Sequence, residues 1–351
     1  MRRSLVVVLL AALSLTGVSA SPDALMYVRF ARYLEALRVQ AGIPGMAAAL
    51  VGDAAIVWER PFGRQNEERA IPVQPDTPFH LDGLTQIVTA AMVLQCVDTG
   101  SLDLDVPVGT VYDPGNADPS ATLRQILSHT RPSPSGGLVY SHEPARYDTL
   151  HEVIRYCKRE SYRGSVATFV DALGMFDTVP GIDAPALVPP AEDVAPLEVA
   201  DRYAAVLARL TTNYQVNAGR PVATLHPSTT LSPSTGLVAT ARDLAKMDVG
   251  IKQGLLVGPE TLAAAWTPPA VGGLPGPHGL GWFVQVVNGE LVVWQYGVSA
   301  VSSSFMMSLP NRRLTMILLA NSGGLVEPFV LAPGDVTASP FARVFLGLVS
   351  P

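Results

Sequence analysis

The clearest pattern in the chain is an apolar stripe at helical spacing between Pro78 and Gly100. A period close to 3.6 residues is typical of a helix with a buried face. Asp82 stands where a residue caps a first turn, and Gly100 stands where a helix ends. The pattern predicts one buried helix over residues 78–100. Its apolar positions are Leu84, Ile87, Val88, Ala91, Met92 and Leu94.

Strand patterns lie toward both ends of the chain, and helical patterns fill the middle. After a predicted helix over 21–40, residues 46–51 and 55–58 predict two strands joined by a turn at Gly52-Asp53. Residues 280–287 and 291–295 flank Asn288-Gly289, a strong hairpin signal, and 301–309 with 314–320 predict a second hairpin. The further predicted helices are 121–129 (capped by Ser120), 147–159, 165–173, 197–210, 241–252 and 341–349.

This order of elements predicts an α+β fold. An antiparallel sheet built from both chain ends, with flanking helices and a helical middle subdomain, accounts for it. The chain has 351 residues, of which 48% are hydrophobic, so it can form a large core. The net charge of −6 is spread along the sequence without a basic block, which argues against a nucleic-acid partner.

The first twenty residues have the pattern of a signal peptide. Arg2 and Arg3 precede an apolar run over 5–15, and Val18-Ser19-Ala20 is a small-residue cleavage site. The run is short for a membrane span, so we expect no stable span after cleavage, with a retained N-terminal anchor as the alternative. The mature protein, residues 21–351, is therefore expected to be secreted or periplasmic.

The chain contains two cysteines, Cys96 and Cys157. They could pair in an oxidising compartment, but their helical, apolar surroundings favour two buried free thiols. There is no Cys/His cluster and no HExxH motif in the sequence. We therefore expect neither a metal site nor a cofactor.

The start of the 78–100 helix is a suitable place for a nucleophile. Free N–H groups and the helix dipole stabilise negative charge that develops there. A serine and a lysine three residues apart would lie on one face and could act together. These two positions hold Gly83 and Gln86, so the scaffold of a catalytic pair is predicted without the pair itself.

Several segments resemble, in the right order, the class C serine β-lactamases, the low-molecular-weight penicillin-binding proteins and their esterase relatives. The resemblance covers nearly all of the mature chain, and it implies a β-lactamase/transpeptidase-like fold. Residues 21–80 and 236–351 would form its α/β part, and residues 81–235 its mainly helical part. The matching segments are Ile43-Pro44-Gly45, 75–79, 100–105, 126–130, 173–178, 236–244, 279–282 and Ala320-Asn321.

The chemistry of this family rests on three motifs, and each departs here. S-x-x-K is matched by Gly83 and Gln86, so the attacking hydroxyl and the amine beside it are both missing. Y-x-N is matched by Tyr140-Ser141-His142, although Arg146-Tyr147-Asp148 lies close enough to shift the alignment. K-T-G or H-x-G is matched by Gln295-Tyr296-Gly297, in which only the glycine is kept.

The substitutions favour a pseudoenzyme with a vacated active site. Gly83 offers no nucleophilic atom, and the neutral amide of Gln86 cannot accept a proton from a hydroxyl. The pocket would be lined by Gly83, Gln86, Tyr140, His142 and Gln295. Tyr140, His142, Gln295 and Tyr296 are the expected contacts for a small polar, peptide or cell-wall-derived ligand. Trp294 and His129 are expected in the core.

Two other interpretations stay open. The first is an active but atypical hydrolase, of the esterase, β-lactamase or D,D-peptidase type, that uses Tyr140 or a downstream serine such as Ser299 or Ser302. The second is a structural envelope protein with a collapsed pocket. The sequence does not specify the oligomeric state. If the scaffold is intact, Gly83→Ser combined with Gln86→Lys should restore slow acylation, whereas Gly83→Ser alone should do little.

Overall fold

The strands of the central sheet come from two segments that are far apart in the sequence. The structure is a computed structural model that describes residues 22–111, 118–186, 197–228 and 230–349. The expected signal peptide lies outside the described residues. The strands are β1 (Gly45–Gly52), β2 (Ala55–Asn66), β3 (Ile71–Pro72), β4 (Phe283–Val287), β5 (Glu290–Ser299), β6 (Ser302–Leu309) and β7 (Leu314–Ala320).

These strands form one antiparallel seven-stranded sheet in the order β4-β5-β6-β7-β1-β2-β3. The two chain ends meet at the β1–β7 pair, where Met46 lies opposite Ala320. Asn288 and Gly289 connect β4 to β5 with positive φ angles of 52° and 81°, as the hairpin signal predicts. The predicted α+β fold with a sheet built from both chain ends is confirmed.

Strand β1 is apolar on both of its faces because both faces of the sheet are covered. Met46, Ala48 and Leu50 belong to a core that includes residues of the first and last helices. The alternate residues Ala47, Ala49 and Val51 belong to the core that surrounds the predicted central helix. The sheet is therefore the middle layer between two helical layers.

Nine helices are present in the described part of the chain. They are α1 (Pro22–Gln40), α2 (Thr85–Asp98), α3 (Leu123–Leu127), α4 (Leu150–Lys158), α5 (Tyr162–Ala172), α6 (Leu197–Leu207), α7 (Ala241–Lys252), α8 (Pro259–Ala265) and α9 (Pro340–Val349). None of them combines the length and apolar composition needed to cross a membrane.

The central helix is shorter than its sequence pattern predicts. Phe79–His80 is a short strand that pairs with Val238–Ala239, and Asp82–Leu84 is a 3₁₀ turn, so α2 starts at Thr85. The predicted cap at Asp82 is wrong, because its carboxylate bonds to distant residues and the N-cap of α2 is Leu84. Gly100, with φ of +69°, follows the end of α2 as expected.

Two further boundaries differ from the prediction. Thr122 rather than Ser120 caps α3, because Thr122 and Gln125 form a reciprocal capping box. Strand β2 continues to Asn66, well past the expected end at Trp58, because it pairs with β1 as far as Gly63.

Cys96 on α2 and Cys157 on α4 form a disulfide. The expectation of two free thiols is therefore wrong. Helical, apolar surroundings suit a disulfide equally well when two packed helices bring the cysteines together. The bond links positions 61 residues apart in the sequence.

Replacing both cysteines with alanine should lower the free energy of unfolding by up to about 4 kcal/mol, because a long loop is no longer closed in the unfolded chain. Denaturant unfolding of the oxidised protein and of the Cys96→Ala/Cys157→Ala variant measures the difference. Reductant should destabilise the parent and leave the variant unchanged. Two titratable thiols per chain in the denatured, unreduced protein would contradict the pairing.

Candidate functional site

A cleft of about 620 Å³ opens at the N-terminal end of α2. Its wall is formed by the turn before α2, the first turn of α2, residues 142–145, residues 226–228 and 234–235, and the end of β5. The lining residues are Asp82, Gly83, Gln86, His142, Pro144, Ala145, His226, Pro227, Ser228, Ser234, Thr235, Tyr296, Gly297, Val298 and Ser299.

Five of the predicted site residues meet in this cleft. They are Gly83, Gln86, His142, Tyr296 and Gly297. The second and third motif segments therefore reach the start of α2, as the resemblance implies. Ligand binding by any of these residues stays a prediction.

Tyr140 and Gln295 do not line the cleft, in contrast to the expected pocket. The Tyr140 hydroxyl donates a hydrogen bond to the carbonyl of Ala332, at 2.7 Å. Gln295 is 1% exposed, and its amide nitrogen donates to the carbonyl of Gly281, at 3.2 Å. Gln295 is buried because neighbouring residues of a strand point to opposite faces, so Tyr296 and Gln295 cannot face the cleft together.

The backbone of β5 lies against the position where a serine side chain would have to stand. A Cβ atom built on Gly83 would be 2.6 Å from the carbonyl oxygen of Tyr296. A Cβ atom built on Gly297 would be 2.5 Å from the backbone nitrogen of Gly83. The scaffold is therefore not intact in the sense that the repair of Gly83 requires, because a serine would have to push two backbone segments apart.

Gln86 replaces a charged base with a buried amide. Its side chain is 2% exposed, and its Oε1 atom has no hydrogen-bond partner among the described residues. An unsatisfied buried acceptor of this kind costs about 1–3 kcal/mol. Gln86 lines the cleft, but its Oε1 atom has almost no accessible surface, so this acceptor is buried behind the cleft wall.

The structure brings to the cleft two residues that the sequence did not identify as partners, Asp82 and His226. His226 Nε2 donates to Asp82 Oδ1 at 2.9 Å, and the hydroxyl of Ser302 donates to Asp82 Oδ2 at 2.5 Å. Asp82 adopts φ of +47°, a conformation that few residues other than glycine, asparagine and aspartate tolerate. Its hydrogen bonds hold the turn in that conformation.

Ser299 joins this network from the mouth of the cleft. Its hydroxyl lies 2.9 Å from that of Ser302, which in turn lies 3.1 Å from His226 Nε2. The arrangement is not that of a catalytic triad, in which histidine uses one ring nitrogen for the carboxylate and the other for the serine. Here both contacts involve Nε2, while Nδ1 lies 3.0 Å from the Ser228 carbonyl oxygen, to which it donates when the ring is protonated.

Charge in the network is concentrated on the pair of Asp82 and His226. Burial opposes the protonation of His226, but the hydrogen bond and the negative charge of Asp82 outweigh it and raise the pKa of His226. The ring of His80 stacks on His226, with centroids 3.8 Å apart. Burial, together with the charge of His226, lowers the pKa of His80 to about 3.

Three further histidines pack together beside the cleft. The rings of His142 and His278 both lie 4.7 Å from that of His129. His129 is fully buried, as expected for a core residue. Burial lowers the pKa of His142 to about 4 and that of His278 to about 3. The described residues contain no group of side chains able to hold a metal ion.

Comparison with known proteins identifies the protein family of this chain. The family model described as Beta-lactamase matches residues 30–336. The mitochondrial serine β-lactamase-like protein LACTB of Homo sapiens is 27% identical over 103 residues, which cover 27% of this chain and 19% of that protein. Penicillin-binding protein 4 of Amycolatopsis lactamdurans is 33% identical over 102 residues, covering 27% of this chain and 26% of its own. The matches span about a quarter or less of these relatives.

Solved structures show the same fold. An octameric penicillin-binding protein homologue from Pyrococcus abyssi has a TM-score of 0.73 and 18% identity, with 91% of this chain and 77% of that chain covered. A class C β-lactamase from Rhodobacter sphaeroides has a TM-score of 0.67 and 16% identity, with 91% and 98% covered. At such identities the similarity is one of fold.

Gly83→Ala should lower the free energy of unfolding by about 1–3 kcal/mol, since its Cβ would press on the carbonyl of Tyr296. Gly347→Ala is the matched control, because a Cβ on this glycine of α9 meets nothing within 4 Å. That control should be neutral or slightly stabilising. Denaturant unfolding measures both. A neutral Gly83→Ala variant would show that the two backbone segments separate easily.

Acid should destabilise the fold through its neutral buried histidines. Between about pH 6.5 and pH 4 the unfolded chain binds protons that the folded chain does not, so stability falls as the pH falls. The pKa of about 4 for His142 places it in this group. His142→Asn should therefore flatten the plot of unfolding free energy against pH by up to about 1.4 kcal/mol per pH unit.

His226 changes the free energy of unfolding with pH in the opposite direction, and it does so in another pH range. Because its pKa is raised, its contribution to stability is complete below about pH 6.5 and is lost as the pH rises through the folded-state pKa. Comparing the parent with His142→Asn below pH 6 thus isolates His142. Parallel curves in that range would contradict a lowered pKa.

Proposed function

The chain belongs to the β-lactamase family, and on that premise we propose that it is an exported member that has lost acyl transfer and binds a small polar ligand in its cleft. One observation carries the proposal: the place of the attacking serine is a glycine whose Cβ direction is blocked by the Tyr296 carbonyl, 2.6 Å away. The site lacks the nucleophile, and it also lacks the room to hold one.

The energetic argument supports inactivity. Losing one member of a nucleophile–base unit costs about a million-fold in rate, and losing the second adds little. Both members are absent at Gly83 and Gln86. Tyr140 is a poor substitute base, because burial, and then the neighbouring Tyr296, raise its pKa. Its hydroxyl is also bound to the Ala332 carbonyl, outside the cleft lining.

The cleft itself favours binding over a purely structural role. Its volume of about 620 Å³ falls within the range of about 300–1,000 Å³ that is usual for small-molecule sites. A collapsed pocket would not leave this space. Short peptides and cell-wall fragments are the ligand classes we propose, in line with the family.

Export is supported by two independent features. Residues 1–20 have the composition of a signal peptide. The disulfide between Cys96 and Cys157 suits the periplasm or the extracellular space, where such bonds persist. We therefore propose that the mature protein resides in one of these compartments.

The second candidate function is an atypical hydrolase that uses Ser299. It is favoured by the position of Ser299 in the cleft wall, with its hydroxyl 2.9 Å from that of Ser302. Against it, Ser299 also accepts hydrogen bonds from the backbone amides of Val301 and Ser302, as a serine in a tight turn does. Asp82, to which Ser299 is linked through Ser302, is already shared by two donors.

Incubation with a fluorescent penicillin and with a fluorophosphonate should leave the intact mass of the folded protein unchanged. An active penicillin-binding protein is the positive control for both reagents. The Gly83→Ser/Gln86→Lys variant should also stay unlabelled, because the blocked Cβ position prevents a productive serine. Labelling of the parent that disappears in Ser299→Ala would overturn the proposal in favour of the hydrolase.

A further inference from the structure

We propose that α1 docks on an anionic membrane surface through its outer face, with apolar side chains in the headgroup region and arginines on the lipid phosphates. None of the residues of this face lines the cleft, so the inference goes beyond the proposed function and does not depend on ligand binding. The outer face is the row of exposed residues Leu25, Val28, Arg29, Arg32, Tyr33, Ala36, Val39 and Gln40.

Apolar residues on both sides of α1 are the first argument. The inner side packs on the sheet through Phe30 and Leu34, which are fully buried. A surface helix usually has a polar outer side. Helix α7, on the opposite side of the sheet, follows this rule, because its exposed residues are Arg242 and Lys246. The outer face of α1 instead exposes about half or more of four large side chains, those of Leu25, Val28, Tyr33 and Val39.

The charge of the outer face is the second argument. Arg29 and Arg32 form no ion pair with any described residue, and the face contains no acidic residue. Glu35, at its margin, is already bonded to Arg38 through two hydrogen bonds of 2.7 and 2.8 Å. Apolar side chains mixed with unpaired arginines are complementary to an anionic lipid surface. Because the whole chain carries a net charge of −6, such a surface attracts this face rather than the protein as a whole.

A groove of about 990 Å³ between α1 and β2 continues the outer face. Arg32 from α1 and Arg60 from β2 both line it, and Glu35 is the one acid among its described lining residues. The Arg60 guanidinium lies over the Phe62 ring, 5.8 Å from its centroid, and forms no ion pair with the described residues. Two arginines beside an apolar wall suit the phosphate of a lipid headgroup, because guanidinium groups bind phosphate through paired hydrogen bonds.

A second copy of the chain is a less suitable occupant than a membrane. Two-fold pairing of the outer face with itself would bring Arg29 and Arg32 of both copies together, because both lie near the middle of α1. The face has no acid to offset this repulsion. In the sequence, α1 begins at Pro22, directly after the segment expected to direct the chain to a membrane.

Co-sedimentation with lipid vesicles tests the inference on the chain from residue 21 onward. This form contains every described element and lacks the apolar segment that could anchor the protein by itself. We expect binding to vesicles of phosphatidylglycerol and phosphatidylcholine in equal amounts to be about tenfold or more tighter than binding to phosphatidylcholine alone, since each arginine near an anionic surface raises the affinity roughly fivefold. The preference should shrink in about 0.5 M salt, which screens the charges.

Variants of exposed residues assign the binding to the outer face. Arg29→Gln combined with Arg32→Gln should lower the affinity for the anionic vesicles by about tenfold or more and leave the weak binding to phosphatidylcholine unchanged. Leu25→Ser combined with Val39→Ser should lower the affinity for both kinds of vesicle, because less apolar surface enters the headgroup region. All four side chains are exposed, so the variants should unfold at the same denaturant concentration as the parent.

The matched control is Arg155→Gln combined with Arg159→Gln. It makes the same change of net charge at two exposed positions, on α4 and directly after it. The buried residues of α4 belong to the core on the other side of the sheet from α1. This control should bind both kinds of vesicle as the parent does.

Three results would overturn the inference. The first is equal binding to the two kinds of vesicle, or no binding to either. The second is an equal loss of affinity in the control and in the Arg29→Gln/Arg32→Gln variant, which would mean that net charge decides rather than this face. The third is a dimer, detected by analytical ultracentrifugation, that the outer-face variants dissociate while the parent ignores vesicles; the face would then bind a second copy. None of these results bears on ligand binding in the cleft.

Discussion

The contact between the turn before α2 and the end of β5 constrains the whole site. Gly83 meets Tyr296 and Gly297 through backbone atoms, at distances that exclude a Cβ on either glycine. In a β-lactamase fold this is the place of the nucleophile. The glycine at position 83 and the close approach of the two segments therefore depend on each other, because a side chain at this position would require the segments to lie further apart.

Three buried serines of β6 stabilise that contact through hydrogen bonds. Ser302, Ser303 and Ser304 are fully buried, and their hydroxyl groups donate to Asp82, to the Ser322 carbonyl and to the Leu81 carbonyl respectively. Two of these three bonds go to the segment that leads into α2. A buried hydroxyl must find an acceptor, so this polar run on a central strand fixes the turn in position. The positive φ of Asp82 is a local strain that these bonds offset.

The sequence predicted features that depend on residues close together in the chain, but it did not predict contacts between residues far apart in it. The apolar stripe predicted the buried helix that contains Gln86, because this signal acts within a few residues, but Gly83 lies in the 3₁₀ turn before that helix. The partner of Asp82 is 144 residues away, and no periodicity links Asp82 to His226. The signals available were an unusual acidic residue beside the vacated position and a histidine next to Pro227 in a loop.

The expectations that the structure corrects, for Gln295, Tyr140 and the two cysteines, failed for physical reasons. Gln295 and Tyr296 are neighbours on a strand, so their side chains point to opposite faces of the sheet and only one of them can face the cleft. Motif matching does not show which of the two side chains faces it. Tyr140 is held by a carbonyl from residue 332, near the other end of the chain. The disulfide depended on how α2 packs on α4, which the apolar surroundings of each cysteine did not reveal.

The electrostatics explain how the fold accommodates an amide at position 86, where the resemblance implies a lysine. A buried lysine without a carboxylate partner would carry a large desolvation penalty, whereas the amide of Gln86 leaves only one unsatisfied acceptor. Asp82 is likewise buried, but His226 supplies a proton from within the same cleft, so this pair does not need the missing lysine. Because the pKa of His226 is raised, the ring keeps this proton at acidic pH and releases it as the pH rises. The net charge of the cleft lining therefore depends on the protonation state of His226.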